Sequence, residues 1–447
     1  MSESRERPQP RRDREAGAAG GSGSRPGPRR DREAGAAGGS GSRPGPVAVG
    51  PPRRRRSRAE RLRAEREGRR RRTARGILVA LCIGVVVVAV FIGSRMWHSF
   101  GPQNDFAGNG KQDLVIQVHP GDSTTAIGET LHKQDVVRTV KVFLEAAQGN
   151  DAISAIQPGY YRLRTELPAA SAVKALADPA SRVGKAVIPE GEQLDDTADV
   201  KTNATTPGIF TMIANATCVE LNGDKHCISA ADLRTAAEKT PLASLSVPPW
   251  AVASATAMGD DHRRIEGLIG PGTWNVNPSA SPQEILESLI SASSEHYARS
   301  GLLDTAPAMN MSPYNVLVVA SLVQREAKPQ DFPKVARVIY NRLAEHRKLE
   351  FDSTVNYPLD RREVATTDGD RDNSTPWNTY ANDGLPATPI CSPGTDALNA
   401  AEHPEDGDWL YFVTIDPQGT TLFTRDYQQH LANIELAKRN GVLDSAR

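Results

Sequence analysis

The chain has 447 residues, of which 38% are hydrophobic and 5% aromatic, and its formal net charge is zero. This length allows two or three domains, and the composition allows a core rich in Ala and Val. Arg-rich sequence dominates the first 75 residues, which leaves the remainder acidic. Nothing else indicates nucleic-acid binding. Four cysteines are too few for a disulfide scaffold. No Cys-x-x-Cys motif or zinc-like His/Cys spacing occurs, so no metal or cofactor is implied.

Residues 1–75 are predicted to form a disordered cytoplasmic tail. Residues 7–24 recur almost unchanged at 25–42 as a repeat of Gly, Ala, Ser, Pro and charged residues. Such a repeat cannot bury enough apolar area to offset the entropy of ordering, and it is too short and polar for a solenoid unit.

A charge-free apolar run, Ile77–Gly93, follows a basic segment. Extended through Trp97 it reaches the ~20 residues that cross a hydrocarbon core, so a transmembrane helix is predicted over residues 76–97. Because the arginines precede the run and Arg95 is almost alone after it, the N-terminus is expected in the cytoplasm and the remainder outside. We therefore expect a single-pass protein of the cell membrane. A cleaved signal peptide is the alternative, which the long basic region and the lack of a clean small-x-small site disfavour.

Residues 98–112 resemble a linker, and residues 113–186 are predicted to form a small module. Leu114–Val118 is rich in β formers, and Asp122 or Ser123 offers a helix N-cap. Two helices and a returning strand complete a β-α-α-β unit. The segment IQVHPGDSTTAIGETL resembles the opening of a LysM module, a glycan-binding fold; a spacer without sugar affinity is an equal alternative.

Cys218 and Cys227 lie close together in a polar stretch of a region, Thr197–Trp250, to which no chemistry is assigned. We expect them to form one local disulfide if this region lies outside the cytoplasm. Two unrelated free thiols are the alternative.

The segment SPYNVLVVASLVQREAK predicts a helix with Ser312 as N-cap and Pro313 in the first position. Glu326 continues its apolar face, where burial and the negative end of the helix dipole favour the protonated carboxyl. A protonated acid near neutral pH is what general-acid catalysis requires. From periodicity alone, an ion pair with Arg337 or Arg342 explains Glu326 more simply. The apolar face consists of Val316, Val319, Leu322 and Val323.

Five motifs in a fixed order carry a family resemblance. VVASLVQREA is followed by KVARVIYNRLAEHRKLEFDSTVNY, and IEGLIGPGTWNV lies upstream. STPWNTYANDGLPATPICSPGTDALNAAEHP and WLYFVTIDPQGTTLFTRDYQQH lie downstream, and VIPEGEQ adds a further short match. Over Asp113–Ile434 the chain resembles the YceG-like (MltG) family of endolytic murein transglycosylases. The resemblance implies a larger mixed catalytic domain over residues 187–441 and an α+β fold overall.

The resemblance implies a role for Glu326 as catalytic acid/base of a lyase. It would protonate the glycosidic oxygen between N-acetylmuramic acid and N-acetylglucosamine, and then activate the muramyl C6 hydroxyl, which attacks C1. The product is a 1,6-anhydromuramyl end, so growth of a nascent strand would terminate. The implied partners are peptidoglycan glycan strands, the cell membrane and peptidoglycan synthases.

The matching positions also imply a set of substrate-binding residues. Glu266 could instead pair with Arg263 or Arg264, Asp352 could cap a turn, and residues 341–342 could simply support the structure. The set consists of Glu266, Asn341, Arg342, Asp352, Ser353, Thr354, Asn378, Thr379 and Tyr380.

The chain departs from the family pattern at four places, none of which removes Glu326. Gln324 replaces a glutamate, Ser353 replaces the proline of DPTV, Cys391 precedes SPG, and GTTLF lacks the usual histidine. Two other functions stay open. One is a noncatalytic peptidoglycan-binding scaffold; the other is a muramidase that uses Asp352 as the second carboxylate of a hydrolase.

Overall fold

The computed structural model describes residues 81, 83–92, 105–199, 202–362 and 366–442. Residues 83–92 are helical, and their large apolar side chains are exposed. Across the ranges just given, no helix is both long and apolar enough to span a membrane. The predicted tail (1–75), the rest of the predicted span (76–97) and the first part of the predicted linker lie outside the described residues.

A small module begins at Asp113 and has its own hydrophobic core. Its three strands form an antiparallel sheet in the order β1-β2-β3. Ser123 Oγ accepts a hydrogen bond from the amide of Ala126 and so caps the first helix. Of the two predicted candidates, Asp122 and Ser123, the N-cap is therefore Ser123. A third helix and a short third strand extend the predicted β-α-α-β unit. The elements are β1 (Asp113–Val118), α1 (Thr124–Lys133), α2 (Val140–Ala147), β2 (Gly159–Arg164), α3 (Ala169–Ala177) and β3 (Arg182–Val183).

The larger domain is helical with small peripheral sheets, so the described fold is a mixed α+β fold. Its strands are β4 (Lys185–Ile188), β5 (Thr197–Asp199), β6 (Thr205–Thr206), β7 (Val219–Leu221), β8 (Asp224–His226), β9 (Gly272–Asn275), β10 (Arg361–Arg362), β11 (Tyr411–Thr414) and β12 (Thr421–Thr424). They pair as β10-β5-β6, β4-β9, β7-β8 and β11-β12.

Its helices surround one central helix, α9 (Pro313–Glu326), which packs against α13 (Thr395–Glu402) and α10 (Phe332–Ala344). Tyr314 and the eight consecutive residues from Val316 to Val323 are buried, because neighbours cover α9 on several sides. The sequence predicted a single apolar face. The other helices are α4 (Ile209–Thr217), α5 (Ala230–Lys239), α6 (Pro249–Ala257), α7 (Pro282–Ser300), α8 (Leu302–Ala308), α10 (Phe332–Ala344), α11 (Asp352–Asn356), α12 (Asp368–Arg371), α13 (Thr395–Glu402) and α14 (Tyr427–Arg439).

The hairpin β7-β8 contacts the small module. A disulfide joins Cys218 to Cys227 at the base of this hairpin. At its tip, the Asn222 amide nitrogen donates to Asp113 Oδ2 at 3.0 Å, and the Asp113 amide donates to Asn222 Oδ1 at 2.7 Å. Arg162 Nη1 of β2 also donates to a hairpin carbonyl at 3.1 Å. The hairpin therefore braces the module against the larger domain.

Candidate active site

Glu326 is the last residue of α9, which begins at Pro313 after the Ser312 cap. Ser312 Oγ accepts a hydrogen bond from the amide of Asn315 at 3.1 Å, as expected of an N-cap. The Glu326 side chain is partly exposed. Burial raises its pKa to about 7, so about half of the carboxyl groups carry a proton at neutral pH.

Two residues at the start of α11 face Glu326. The hydroxyl and amide of Ser353 lower the pKa of Glu326, whereas the negative charge of Asp352 raises it. Ser353 Oγ is buried and has no hydrogen-bond partner of regular geometry among the described residues. The structure therefore brings together a carboxyl of raised pKa, a hydroxyl and an anion, which the sequence had assigned to one site.

Asp352 is held by three other side chains. Its Oδ1 accepts from Thr366 Oγ1 at 2.6 Å, from the Tyr380 hydroxyl at 2.9 Å and from Arg371 Nη2 at 3.1 Å. The Arg371 guanidinium also lies 4.9 Å from the centroid of the Tyr380 ring. Burial, followed by the charge of Asp352, raises the pKa of Tyr380, which therefore stays a donor. These contacts fix the anion beside Glu326.

Three predicted substrate-binding residues are buried scaffold instead. Thr354 and Thr379 share a hydrogen bond of 2.9 Å between their hydroxyls, and Thr379 Oγ1 accepts from the Phe351 amide at 3.0 Å. Asn378 donates to the carbonyls of Arg371 and Asn373 at 2.8 and 2.7 Å. Each side chain is at most 1% exposed. The three residues therefore support the segments that carry Asp352 and Tyr380, because their polar atoms bind main-chain groups or each other.

Asn341 and Arg342 also bind the main chain. Asn341 Nδ2 donates to the carbonyls of Gly407 and Trp409, and Arg342 Nε donates to the carbonyl of Leu410 at 2.7 Å. Arg342 is 8% exposed. Both residues anchor the segment before β11 to α10, so the supporting role considered in the sequence analysis describes them better than contact with a sugar.

Glu266, which the resemblance placed among the substrate-binding residues, is 1% exposed. Its Oε2 accepts from the Tyr357 hydroxyl at 2.7 Å and from the Leu194 amide at 3.2 Å. Burial raises its pKa to about 7. The alternative ion pairs are not formed either, because Arg263 contacts Asp195 and Asp360 instead. Arg264 donates to three carbonyls, those of Ala237, Thr240 and Gly259.

The remaining motifs meet at the C-terminal end of α9. Arg325 Nη1 donates to the carbonyl of Gly191 in the VIPEGEQ loop at 3.2 Å, and Gln324 Oε1 accepts from the Gly394 amide at 2.9 Å. Lys328 Nζ donates to the carbonyl of Gln418 at the turn between β11 and β12. Gln324 and Arg325 therefore join loops that flank Glu326.

Arg371 and Thr366 were missed by the sequence analysis. They lie outside the family motifs, in a polar stretch between DSTVNY and STPWNTY. The one local signal in the sequence is the set of aspartates around Arg371, which favours an ion pair for this residue. Within the ranges that the structure describes, no group of three or more His, Cys, Asp or Glu side chains could hold a metal ion.

Comparison with known proteins shows the family of this chain. The YceG-like family profile matches residues 116–436, and the chain belongs to that family. It is similar to the endolytic murein transglycosylase of Bacillus subtilis (strain 168), with 27% identity over 72% of this chain and 83% of that protein. It is also similar to the endolytic murein transglycosylase of Streptococcus pneumoniae serotype 2, with 25% identity over 73% of this chain. The match spans 58% of the length of the pneumococcal protein.

Among solved structures, the chain matches a crystal structure of a YceG-like protein from Listeria monocytogenes. The two share 25% sequence identity, and the match covers 72% of this chain and 99% of that one, with a TM-score of 0.47.

Proposed function

We propose that this chain is an endolytic peptidoglycan transglycosylase that cleaves the bond between N-acetylmuramic acid and N-acetylglucosamine and leaves 1,6-anhydromuramyl ends. One observation carries the proposal: Glu326 is a partly exposed residue whose carboxyl has a pKa of about 7, at the meeting point of the family motifs. The name that the curated relatives share supports the same reaction.

The reaction requires one group that first donates and then accepts a proton. Protonated Glu326 donates its proton to the glycosidic oxygen as the muramyl C1–O bond breaks, and N-acetylglucosamine leaves as an alcohol. The Glu326 carboxylate then accepts the proton of the muramyl C6 hydroxyl while that oxygen bonds to C1. The proton that Glu326 lost is restored, no water is consumed, and the anhydro ring is closed.

The surroundings of Asp352 favour this reaction over hydrolysis. A hydrolase needs a second carboxylate that is free to activate water or to attack C1. Asp352 accepts hydrogen bonds from Thr366, Tyr380 and Arg371, so its Oδ1 is occupied. A fixed anion can still stabilise the positive charge that develops at C1 in the transition state. We assign Asp352 that electrostatic role.

Membrane anchoring is a separate part of the proposal. It is supported by the charge-free run Ile77–Gly93, by the arginines before it and by the exposed apolar side chains of residues 83–92. The large domain would then lie outside the cytoplasm near the bilayer. There it would meet nascent strands and the synthases that make them. The small module is proposed to hold glycan, in line with its resemblance to LysM.

Mass spectrometry of the products tests the reaction. Full-length protein in detergent is incubated with nascent and mature peptidoglycan, alongside Glu326→Gln. The matched control is Glu435→Gln, which alters an exposed glutamate of α14 that pairs with Lys438. Anhydromuramyl ends made by the wild type and the control but not by Glu326→Gln are expected. Hydrated reducing ends would identify a muramidase, and bound but uncut glycan would identify a scaffold.

A further inference from the structure

Glu266 is a buried carboxyl that the reaction above does not use. Its Oε2 accepts from Tyr357 and Leu194, while Oε1 has no hydrogen-bond partner among the described residues. Burying a carboxyl with an unsatisfied oxygen costs free energy. A residue that only filled space here would be better apolar. The position of its two partners suggests what the carboxyl contributes.

The two partners of Glu266 belong to the two segments that flank Glu326. Leu194 directly follows the VIPEGEQ loop, whose Gly191 carbonyl binds Arg325. Tyr357 directly follows α11, the helix that begins with Asp352 and Ser353. One carboxyl oxygen therefore joins the loop on one side of the site to the helix on the other.

Helix α11 depends on outside contacts for its position. It is five residues long, and no side chain caps its N-terminus. A helix this short is not stable alone, so its neighbours fix it. Arg371 and Tyr380 hold its first residue through Asp352. At the other end, the Tyr357 ring packs against Trp377 with centroids 5.4 Å apart, and its hydroxyl is bound by Glu266.

We propose that Glu266 is a positioning residue: by binding the Tyr357 hydroxyl it fixes α11, and thereby sets Ser353 and Asp352 relative to Glu326. This inference rests on the proposed function for its kinetic test. It assigns Glu266 no contact with the glycan, in agreement with its burial.

The experiment compares Glu266→Ala, Glu266→Gln and Tyr357→Phe in the full-length enzyme. Glu266→Ala and Tyr357→Phe remove the tie, and kcat is expected to fall ~10- to 100-fold with KM within ~twofold, because small displacements of catalytic groups are costly. The double variant should lose little more than either single one, since both break one interaction. Glu266→Gln retains an acceptor oxygen for Tyr357 and should restore most of kcat.

A matched control separates positioning from general destabilisation. The Tyr340 hydroxyl of α10 donates to the carbonyl of Ala401 in α13 at 2.7 Å, so Tyr340→Phe removes a partly buried tyrosine hydrogen bond that does not involve α11. It should lower the Tm without lowering kcat. The inference is overturned if Tyr357→Phe behaves like Tyr340→Phe. It is also overturned if Glu266→Gln is as inactive as Glu266→Ala, because the charge would then be required.

A second readout does not depend on turnover. The carbon-13 resonance of the Glu326 carboxyl reports its pKa, which the neighbouring Ser353 and Asp352 influence. Tyr357→Phe should move that pKa by about half a unit or more, because both neighbours shift with α11. An unchanged pKa would contradict the positioning role even if the wild type cut no glycan. Absence of anhydro ends with a moved pKa would instead count against the proposed reaction alone.

Discussion

Glu326 and Glu266 both have a pKa of about 7, and burial is the main cause of the raised pKa in each. Their surroundings differ. Glu326 ends a helix, is partly exposed and faces Ser353, whereas Glu266 is 1% exposed and is bound by Tyr357. A raised pKa therefore does not by itself identify the acid of this site. Access for a substrate separates the residue that transfers a proton from the one that holds structure.

The variant with the largest expected effect tests this difference between Glu326 and Glu266. Glu326→Gln should lower the rate of anhydro-end formation at least ~1000-fold, because it removes the only proposed proton donor. Glu266→Gln should retain most activity. Rates measured from released products, with circular dichroism to confirm folding, make the comparison. Equal losses of activity in the two variants would contradict the different roles of Glu326 and Glu266.

Asp352 should have the next largest effect. Asp352→Asn removes a negative charge that raises the pKa of Glu326, so the pKa of Glu326 should fall and less of it should be protonated at neutral pH. Together with the lost stabilisation at C1, kcat should fall ~10- to 100-fold, with 1,6-anhydro ends still formed. Complete inactivity equal to that of Glu326→Gln would favour the two-carboxylate hydrolase. End-group analysis distinguishes these results.

The pH dependence of the wild type follows from Glu326. Its carboxyl must carry a proton at the start of the reaction, and its pKa is about 7. The rate kcat should therefore fall ~tenfold per pH unit above neutrality. A pH–rate profile in buffers of constant ionic strength measures this. A rate that stays level up to pH 9 would mean that Glu326 is not the acid.

Glu266 should also affect the pH dependence of the stability. Its pKa in the folded protein is about 7, above the ordinary value of 4.5, so the folded state binds the proton more tightly than the unfolded state. The resulting stabilisation is complete below pH 4.5 and is lost as pH rises towards 7, by up to about 3 kcal/mol. Chemical denaturation at several pH values should show a decline to which Glu326 also contributes, and Glu266→Gln should remove about half of it. Equal slopes in both proteins would contradict the assignment.

The sequence predicted helix α9, its Ser312 cap and the place of Glu326 on it, because a cap and an apolar period are local signals. It also grouped Asp352, Ser353 and Tyr380 with Glu326 through the resemblance. It could not tell which polar motif residues face a substrate. Thr379, for example, binds the main chain of a segment distant in sequence, and such pairing is visible only in three dimensions.

Arg371 illustrates the opposite limit. Its partner Asp352 lies 19 positions away, so no local pattern links the two. The small module shows a similar limit, since its third helix, Ala169–Ala177, follows the strand at which the predicted unit ended. Local sequence patterns predicted individual helices and strands, whereas long-range contacts determine which side chains form the site.

The disulfide at the base of the β7-β8 hairpin has a consequence for proteolysis. Any single cut between Cys218 and Cys227 would leave the two halves of the chain covalently joined. Exposed turns such as the one at Asn222 and Gly223 are where proteases usually cleave. Cleavage there would open the turn that contacts Asp113 without releasing a fragment. The nicked protein would run as one band on a gel until a reducing agent separated its pieces.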